Sequence, residues 1–252
     1  MLVCPSAIDL STAHLRYLSQ ELAARRRETG SRRRLTPRRQ ALPALAHLRC
    51  GDTYTQLAAG FGIKIATVYR YVREAIDVLA VLSPTLAEAM VTARTKAHVT
   101  LDGTMPPINR IAADRPYHCG KKRHHGMNVQ VPADPFGQLL RASPALPGAT
   151  HDLTAAHEHG TIDAIADTGL KCRADKAYQG AARNVRVPFK GRRLKRRQRR
   201  HNTTHAKIHC IGEQTMATLK GRRLLRKPRC GTNRITTIVK AVLTLHLAAA
   251  SG

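Results

Sequence analysis

One short alternating segment, His98-Val-Thr-Leu-Asp-Gly-Thr104, constrains the fold of this chain more than any other. Val99 and Leu101 lie on one side of the alternation, which is typical of a β-strand with one buried face. Asp102 and a glycine follow at once, so we expect the strand to end there and to aim the carboxylate into a cleft. An Asp-Gly pair also opens ordinary turns, and on this segment alone the turn is the simpler interpretation.

Two further acidic residues change that balance. Leu170-Lys-Cys-Arg-Ala-Asp175 is a second short strand pattern that ends in a carboxylate, and Glu213 lies in a segment with helical spacing. Carboxylates suit Mg²⁺, and two such ions can stabilise the attacking and leaving oxygens of a phosphoryl displacement. Because residues 181–234 hold 18 Lys and Arg with Glu213 as the one acid, a salt bridge is the alternative role for Glu213.

The charge of the chain indicates a polyanionic partner. Its 43 Lys and Arg against 16 Asp and Glu give a formal net charge of +27. In a compact fold these positive side chains would repel one another unless a polyanion bound to them. DNA is favoured over RNA, because three Phe and no Trp leave little surface for base stacking. No apolar run approaches the roughly 20 residues of a membrane span. Six scattered cysteines without a C-x-x-C pair suggest a reduced, cytoplasmic, nucleoid-associated protein.

Residues 36–82 have the pattern of a helix-turn-helix. Thr36-Pro37 marks a helix start, 54–63 predicts a short helix with a glycine-bearing turn, and 65–79 predicts a longer helix. Five apolar residues of the longer helix, spaced 3, 4, 4 and 3, are expected to be buried: Ile65, Val68, Val72, Ile76 and Leu79. The opposite face would meet DNA through Lys64, Thr67, Arg70 and Arg73. An ordinary three-helix core with a polar exterior is the alternative.

The elements predicted after a connecting helix at 83–95 alternate as in an α/β domain. The expected strands are 98–102, 127–131 and 139–145, in an antiparallel meander, then 170–175 and 185–188. The expected helices are 154–166, 204–220 and an apolar C-terminal helix, 235–250, packed on the sheet.

A series of short motifs occurs in a fixed order in this part of the chain. They are Leu101-Asp-Gly-Thr104, Ile111-Ala-Ala-Asp-Arg-Pro116, Gly126-Met-Asn-Val-Gln-Val131, Ala145-Leu-Pro-Gly148, His151-Asp152, Ala174-Asp-Lys-Ala-Tyr178, His205-Ala-Lys-Ile208, and Glu213-Gln with Leu219-Lys220. Together they resemble insertion-sequence transposases of the DDE superfamily, in the group whose endonuclease domain follows a helix-turn-helix. The resemblance covers nearly the whole chain.

The resemblance implies an α/β fold with a ribonuclease-H-like mixed sheet and flanking helices in 96–252, preceded by an all-α helix-turn-helix domain in 1–95. It implies that Asp102, Asp175 and Glu213 are the catalytic residues and bind two Mg²⁺ ions, for which Mn²⁺ can substitute. The expected protein is a DNA transposase that binds terminal inverted repeats, hydrolyses a phosphodiester and transfers the strand. Its expected partners are transposon ends, target DNA and further copies of the chain on DNA, without a membrane. A non-catalytic DNA-binding regulator or an inactive transposase remnant is the alternative.

Weaker expectations concern residues around the triad. Phosphate contacts are expected from Arg115, Lys121, Lys122, Arg123 and Lys176. His151, Asp152 and Tyr178 could support the metal site, or could form a turn and pack. The family pattern Lys-Gly-Tyr reads Lys176-Ala177-Tyr178 here, so Ala177 would be strained if its position requires a glycine conformation.

Overall fold

The computed structural model describes residues 12–108, 115–221, 223–226 and 232–250. Motif residues 111–114, and the side chains of Leu219 and Lys220, lie outside this description. The chain divides into two compact units, Met1–Ser83 with Leu219–Gly252, and Pro84–Thr218. The two domains predicted from the sequence, 1–95 and 96–252, are each one continuous segment, and they stay a prediction. The first compact unit differs from them because it also contains the C-terminal segment.

The described residues form the following helices and strands. The helices are α1 (Thr12–Thr29), α2 (Pro37–Cys50), α3 (Tyr54–Phe61), α4 (Ile65–Val81), α5 (Leu86–Arg94), α6 (Asp152–Glu158), α7 (Thr161–Asp167), α8 (Arg196–Gly221), α9 (Arg223–Arg226) and α10 (Ile235–Ala250). The strands are β1 (Val99–Thr104), β2 (His118–Cys119), β3 (His124–His125), β4 (Met127–Ala133), β5 (Leu146–Pro147), β6 (Cys172–Ala174) and β7 (Val185–Arg186). No single described helix is both long and apolar enough to cross a membrane, although α4 and α5 pass that test when taken together.

Local sequence explains why α2, α3 and α4 form a helix-turn-helix. Thr36 caps α2 by accepting the N–H of Arg39, and Pro37 stands at the start of the helix. A capping box between Thr53 and Gln56 opens α3. Gly62 then ends α3 with φ of 63°, a left-handed conformation that favours glycine, and so lets the chain turn into α4.

The buried face of α4 differs from the predicted row of five buried residues at the N-terminal end of the helix. Val68, Val72, Ile76 and Leu79 are buried as expected, but Ile65 is 50% exposed. Side chains lean toward the N-terminus of their helix, so the side chain of the first residue projects beyond the helix end. The prediction that Ile65 belongs to the core is therefore wrong.

The C-terminal helix packs on α4, so the prediction that it packs on the sheet is wrong. Seven of its residues, between Ile235 and Leu245, are apolar and buried. Thr244 Oγ1 donates to the carbonyl of Leu79 at 2.8 Å, and Arg234 pairs with Asp77 at 2.7 Å. An apolar helical pattern indicates that the helix packs against another apolar surface, but it does not identify that surface.

The second unit is built on a five-stranded mixed sheet with the strand order β5-β4-β1-β6-β7. The central strand, β1, is antiparallel to β4 and parallel to β6, and β6 is parallel to β7. The core beside β1 and β6 is made of small and branched side chains, among them Val99, Leu101, Ile162, Ile165 and Ala174.

Several predicted boundaries shift. The strand expected at 139–145 is wrong, since only Leu139 forms an isolated bridge, with Ala133, and the short β5 follows at Leu146 instead. The helix expected at 154–166 is two helices, because Gly160 turns the chain with φ of 60°. α8 starts at Arg196, eight residues before the predicted 204.

Candidate active site

Asp102 and Asp175 lie side by side at the point where β6 ends beside β1. Leu101 of β1 pairs with Ala174, the last residue of β6, so the next residue along is Asp102 within β1 and Asp175 directly after β6. In parallel strands in register, such side chains share one face of the sheet. Asp102 does not end its strand as predicted, because β1 continues through Gly103 to Thr104.

The surroundings of Asp102 act on its pKa in both directions. Burial raises the pKa of Asp102, and the negative charges of Asp175 and Asp152 raise it further. The nearby His209 and the N–H of Gly103, which donates to Asp102 Oδ1 at 2.8 Å, lower it. Ionised carboxylates placed together in this way are stabilised by a cation.

The absence of a side chain at Gly103 leaves space for the carboxylate of Asp152. A Cβ atom built on Gly103 would lie 3.0 Å from Asp152 Cγ and 3.2 Å from Gln130 Nε2, and closer still to Asp152 Oδ1. A side chain at position 103 would displace Asp152, so the Asp-Gly pair serves a close approach inside a strand and not a turn.

A chain of buried donors leads to the Asp152 carboxylate. The hydroxyl of Tyr178 donates to Gln130 Oε1, and Gln130 Nε2 donates to Asn128 Oδ1 at 2.8 Å. Asn128 Nδ2 then donates to Asp152 Oδ1 at 2.8 Å. Burial and the three aspartates raise the pKa of Tyr178, so that its hydroxyl keeps its proton. Sequence reasoning gave Asn128 and Gln130 no role, although polar residues on alternate positions of a buried strand were the available signal.

α8 presents a ladder of histidines that ends at Glu213. The rings of His201, His205 and His209 stack at centroid distances of 6.0 and 5.8 Å, and His209 Nδ1 lies 3.5 Å from Glu213 Oε1. His205 is buried, and its Nε2–H donates to the carbonyl of Ala174, the residue before Asp175, at 3.0 Å. This bond holds the helix that carries Glu213 against the strand that carries Asp175.

The three predicted metal ligands are not gathered into one cluster. Asp102 and Asp175 are neighbours, but the Glu213 side chain is 66% exposed and faces His209. No group of three His, Cys, Asp or Glu side chains able to hold an ion occurs in the described ranges. The paired aspartates have the oxygen chemistry that a hard divalent cation requires, and the third ligand is not assembled with them.

The predicted phosphate-binding cations lie on exposed parts of this unit. Lys121, Lys122 and Arg123 form the turn between β2 and β3, and Lys121 Nζ lies 3.6 Å from Asp175 Oδ2. Arg115 and Lys176 are exposed as well.

Ala177, which would be strained if its position required a glycine conformation, has no positive φ, and its N–H donates to Asp175 Oδ1 at 2.7 Å. His151 caps α6 by accepting the N–H of Leu153 at 3.3 Å.

Most of the residues predicted to contact DNA are exposed on the first unit. Lys64, Arg70 and Arg73 of α4 are exposed, and Thr67 is partly buried. A basic helix surface in the second helix of a helix-turn-helix is the surface that enters the major groove in DNA-binding proteins of this type.

Fold and site together define a protein with a helix-turn-helix and a mixed-sheet unit that carries paired aspartates on parallel strands. Comparison with protein families agrees. Residues 101–246 match the DDE superfamily endonuclease, and residues 33–85 match the helix-turn-helix of DDE superfamily endonuclease. The chain belongs to the DDE superfamily endonucleases, a class of transposase-like, DNA-binding nucleases that use divalent metal ions. No curated protein and no solved structure matches it.

His205 should make the stability of this chain depend on pH. Burial, with the charges of His209 and Arg173, lowers the pKa of His205 to about 4, against about 6.5 in an unfolded chain. The unfolded state therefore takes up a proton first as pH falls. The contribution of His205 is complete above pH 6.5 and decreases by about 2 kcal/mol between pH 7 and pH 5.

Denaturant unfolding of wild type and His205→Gln at both pH values measures this effect. The difference in unfolding free energy between the two proteins should be larger at pH 7 than at pH 5. His157→Gln, at an exposed histidine of α6, is the matched control and should show no such change. An equal difference at both pH values would contradict the prediction.

Proposed function

We propose that this protein is a transposase that binds the terminal inverted repeats of an insertion sequence and cuts and joins DNA with Asp102, Asp175 and Glu213. The observation that carries the proposal is the register of β1 with β6, which sets Asp102 beside Asp175 in a chain of this family. The strand order supports a ribonuclease-H-like fold for this unit, since three antiparallel strands are followed by two parallel to the first.

The three carboxylates would hold two Mg²⁺ ions, with Mn²⁺ as a substitute. Such ions supply Lewis-acid activation of the attacking oxygen and stabilise the leaving oxygen. Asp102 and Asp175 concentrate negative charge at one point of the sheet, and the turn cations Lys121, Lys122 and Arg123 hold phosphates beside them. Water attacks phosphorus, the bond to the bridging oxygen breaks, and a 3′-hydroxyl is released. That hydroxyl then attacks the phosphorus of a target phosphodiester at the same site, and the bond to the target's own 3′-oxygen breaks, so that this oxygen leaves as a new 3′-hydroxyl.

DNA recognition is assigned to the first unit. Lys64, Thr67, Arg70 and Arg73 would contact the repeats, and Arg115 and Lys176 would contact phosphates near the catalytic residues. Pairing of two ends requires more than one copy of the chain on DNA. His151, Asp152 and Tyr178 would support the site through the cap on α6 and the donors that reach Asp152.

Cleavage of DNA that carries the flanking ends of the element tests the proposal. Wild type should nick at the ends with Mg²⁺ or Mn²⁺, and Asp175→Ala should bind the same DNA without nicking it. Binding without nicking by wild type, across several salt and metal conditions, would overturn the catalytic part and leave DNA binding in place.

A second candidate is a non-catalytic DNA-binding regulator or an inactive remnant. The placement of Glu213 beside His209, apart from the paired aspartates, is the observation that favours it. In that case Asp102→Ala would change neither DNA binding nor any metal-dependent activity.

Arg70→Ala should weaken duplex binding about equally for all sequences, because an exposed arginine at this place neutralises a phosphate. The slope of log affinity against log salt should fall by about one. Titrations at several salt concentrations measure the slope. Arg94→Ala, at an exposed arginine of α5, is the control, and an unchanged slope for Arg70→Ala would remove this residue from the interface.

A further inference from the structure

The first unit exposes two apolar side chains where a helix-turn-helix meets DNA. Ile65 is 50% exposed and Tyr69 is 41% exposed, and the two lie one turn apart on α4. Arg73, one further turn along, continues the same face. Ile65, at the first residue of the helix, leaves half of its apolar side chain open to a partner.

Tyr69 is held in a fixed position beside Ile65. The edge of its ring meets the ring of Tyr54 with centroids 5.4 Å apart. Arg73 Nη1 donates to its hydroxyl, and the Arg73 guanidinium carbon lies 5.3 Å from the ring centroid. The apolar surface is therefore already ordered, and a partner would lose little entropy in meeting it.

The charge around this apolar pair identifies the kind of partner. On α4, Lys64, Arg70 and Arg73 are exposed around the two side chains. The acidic residues that follow on this helix, Glu74 and Asp77, are paired with Arg33 and Arg234. An apolar protein surface would gain nothing from these cations, whereas a duplex presents phosphates on both sides of its grooves. Among the unmodified bases, only thymine has an apolar group, its C5-methyl, on the major-groove edge.

We propose that Ile65, with Tyr69 beside it, contacts the C5-methyl group of a thymine in the major groove and thereby selects a T·A pair at a fixed position of the bound site. The proposal rests on the proposed function, since it requires that α4 reads duplex DNA. It adds the base that is read and the residues that read it.

The test removes the methyl group from the DNA and the side chain from the protein separately. The full chain first selects duplexes from a random-sequence library, and each thymine of the selected duplex is then replaced in turn by deoxyuridine. Wild type should lose about fourfold in affinity at one or two positions, the value of one buried methyl group. Ile65→Ala should bind the thymine duplex more weakly by a similar factor and should no longer distinguish thymine from deoxyuridine there.

Val81→Ala is the matched control, because Val81 is a β-branched residue of the same helix that is 84% exposed. It should discriminate as wild type does. Equal affinity of wild type for thymine and deoxyuridine duplexes, or discrimination retained by Ile65→Ala, overturns this inference and leaves the proposed function intact. Failure of wild type to select any duplex overturns both.

Discussion

Asp102→Asn should abolish metal-dependent DNA cleavage while duplex binding stays at the wild-type level. The substitution keeps the size of the side chain but removes one of the paired negative charges that a divalent ion needs. Changes in the outer shell of a metal site alone cost about 10- to 100-fold, so the loss of a ligand should exceed about a hundredfold. Binding is unaffected because Asp102 is not among the residues assigned to DNA contact, either on α4 or beside the catalytic residues.

The same variant should be more stable than wild type when a chelator is present. Burial, Asp175 and Asp152 disfavour the ionised form of Asp102, so a neutral amide relieves an unfavourable charge at pH 7. Thermal unfolding in EDTA measures the gain, and Asp167→Asn, at an exposed aspartate of α7, serves as control. A variant that loses cleavage together with stability would point to misfolding and would not support a catalytic role.

Gly103→Ala should damage both the fold and the activity, although it adds a single methyl group. The new Cβ has no space beside Asp152, and the displaced carboxylate would lose the hydrogen bond from Asn128. Overpacking of this kind costs about 1–3 kcal/mol, and misplacement of a supporting residue costs about 10- to 100-fold in activity. Denaturant unfolding and the cleavage assay measure the two effects.

A second substitution separates this clash from a general intolerance of β1. In Gly103→Ala/Asp152→Ala the two closest contacts of the alanine at 103 are gone and only that with Gln130 Nε2, at 3.2 Å, stays tight, so stability should partly recover relative to the single variant, a non-additive result. Gly120→Ala is the control, since a Cβ there meets no atom within 4 Å. Additive losses in the double variant would contradict the account of Gly103.

The sequence predicted the features that depend on local pattern. Two strands that each lead to an aspartate, and a basic helix after a glycine turn, could be identified because alternation, helical spacing and turn residues are local. The closeness of Asp102 to Asp175 is not local, and it was implied only by a family resemblance. The pairing of β1 with β6 supplies it in the structure.

Features that depend on the neighbours of a residue could not be predicted in this way. Ile65 fits the apolar spacing of α4, and only its position beyond the end of the core makes it exposed. Gly103 looked like a turn residue, because the side chain that fills the space above it comes from a segment about 50 residues later. The contact of Glu213 with His209 is a local i,i+4 pair, but the place of α8 against β6, which His205 fixes through the carbonyl of Ala174, is not local.

The packing of α10 on α4 has a consequence for the order in which the core of the first unit is completed during translation. The core beside α4 is completed by residues near 240, which are made after the whole of the second compact unit, Pro84–Thr218. A nascent chain that contains residues 1–85 alone would expose the apolar face of α4 that α10 covers. A chain that stops within the mixed-sheet unit therefore lacks the helix that completes the core of the first unit, so the first unit gains its full core only after the second has been synthesised.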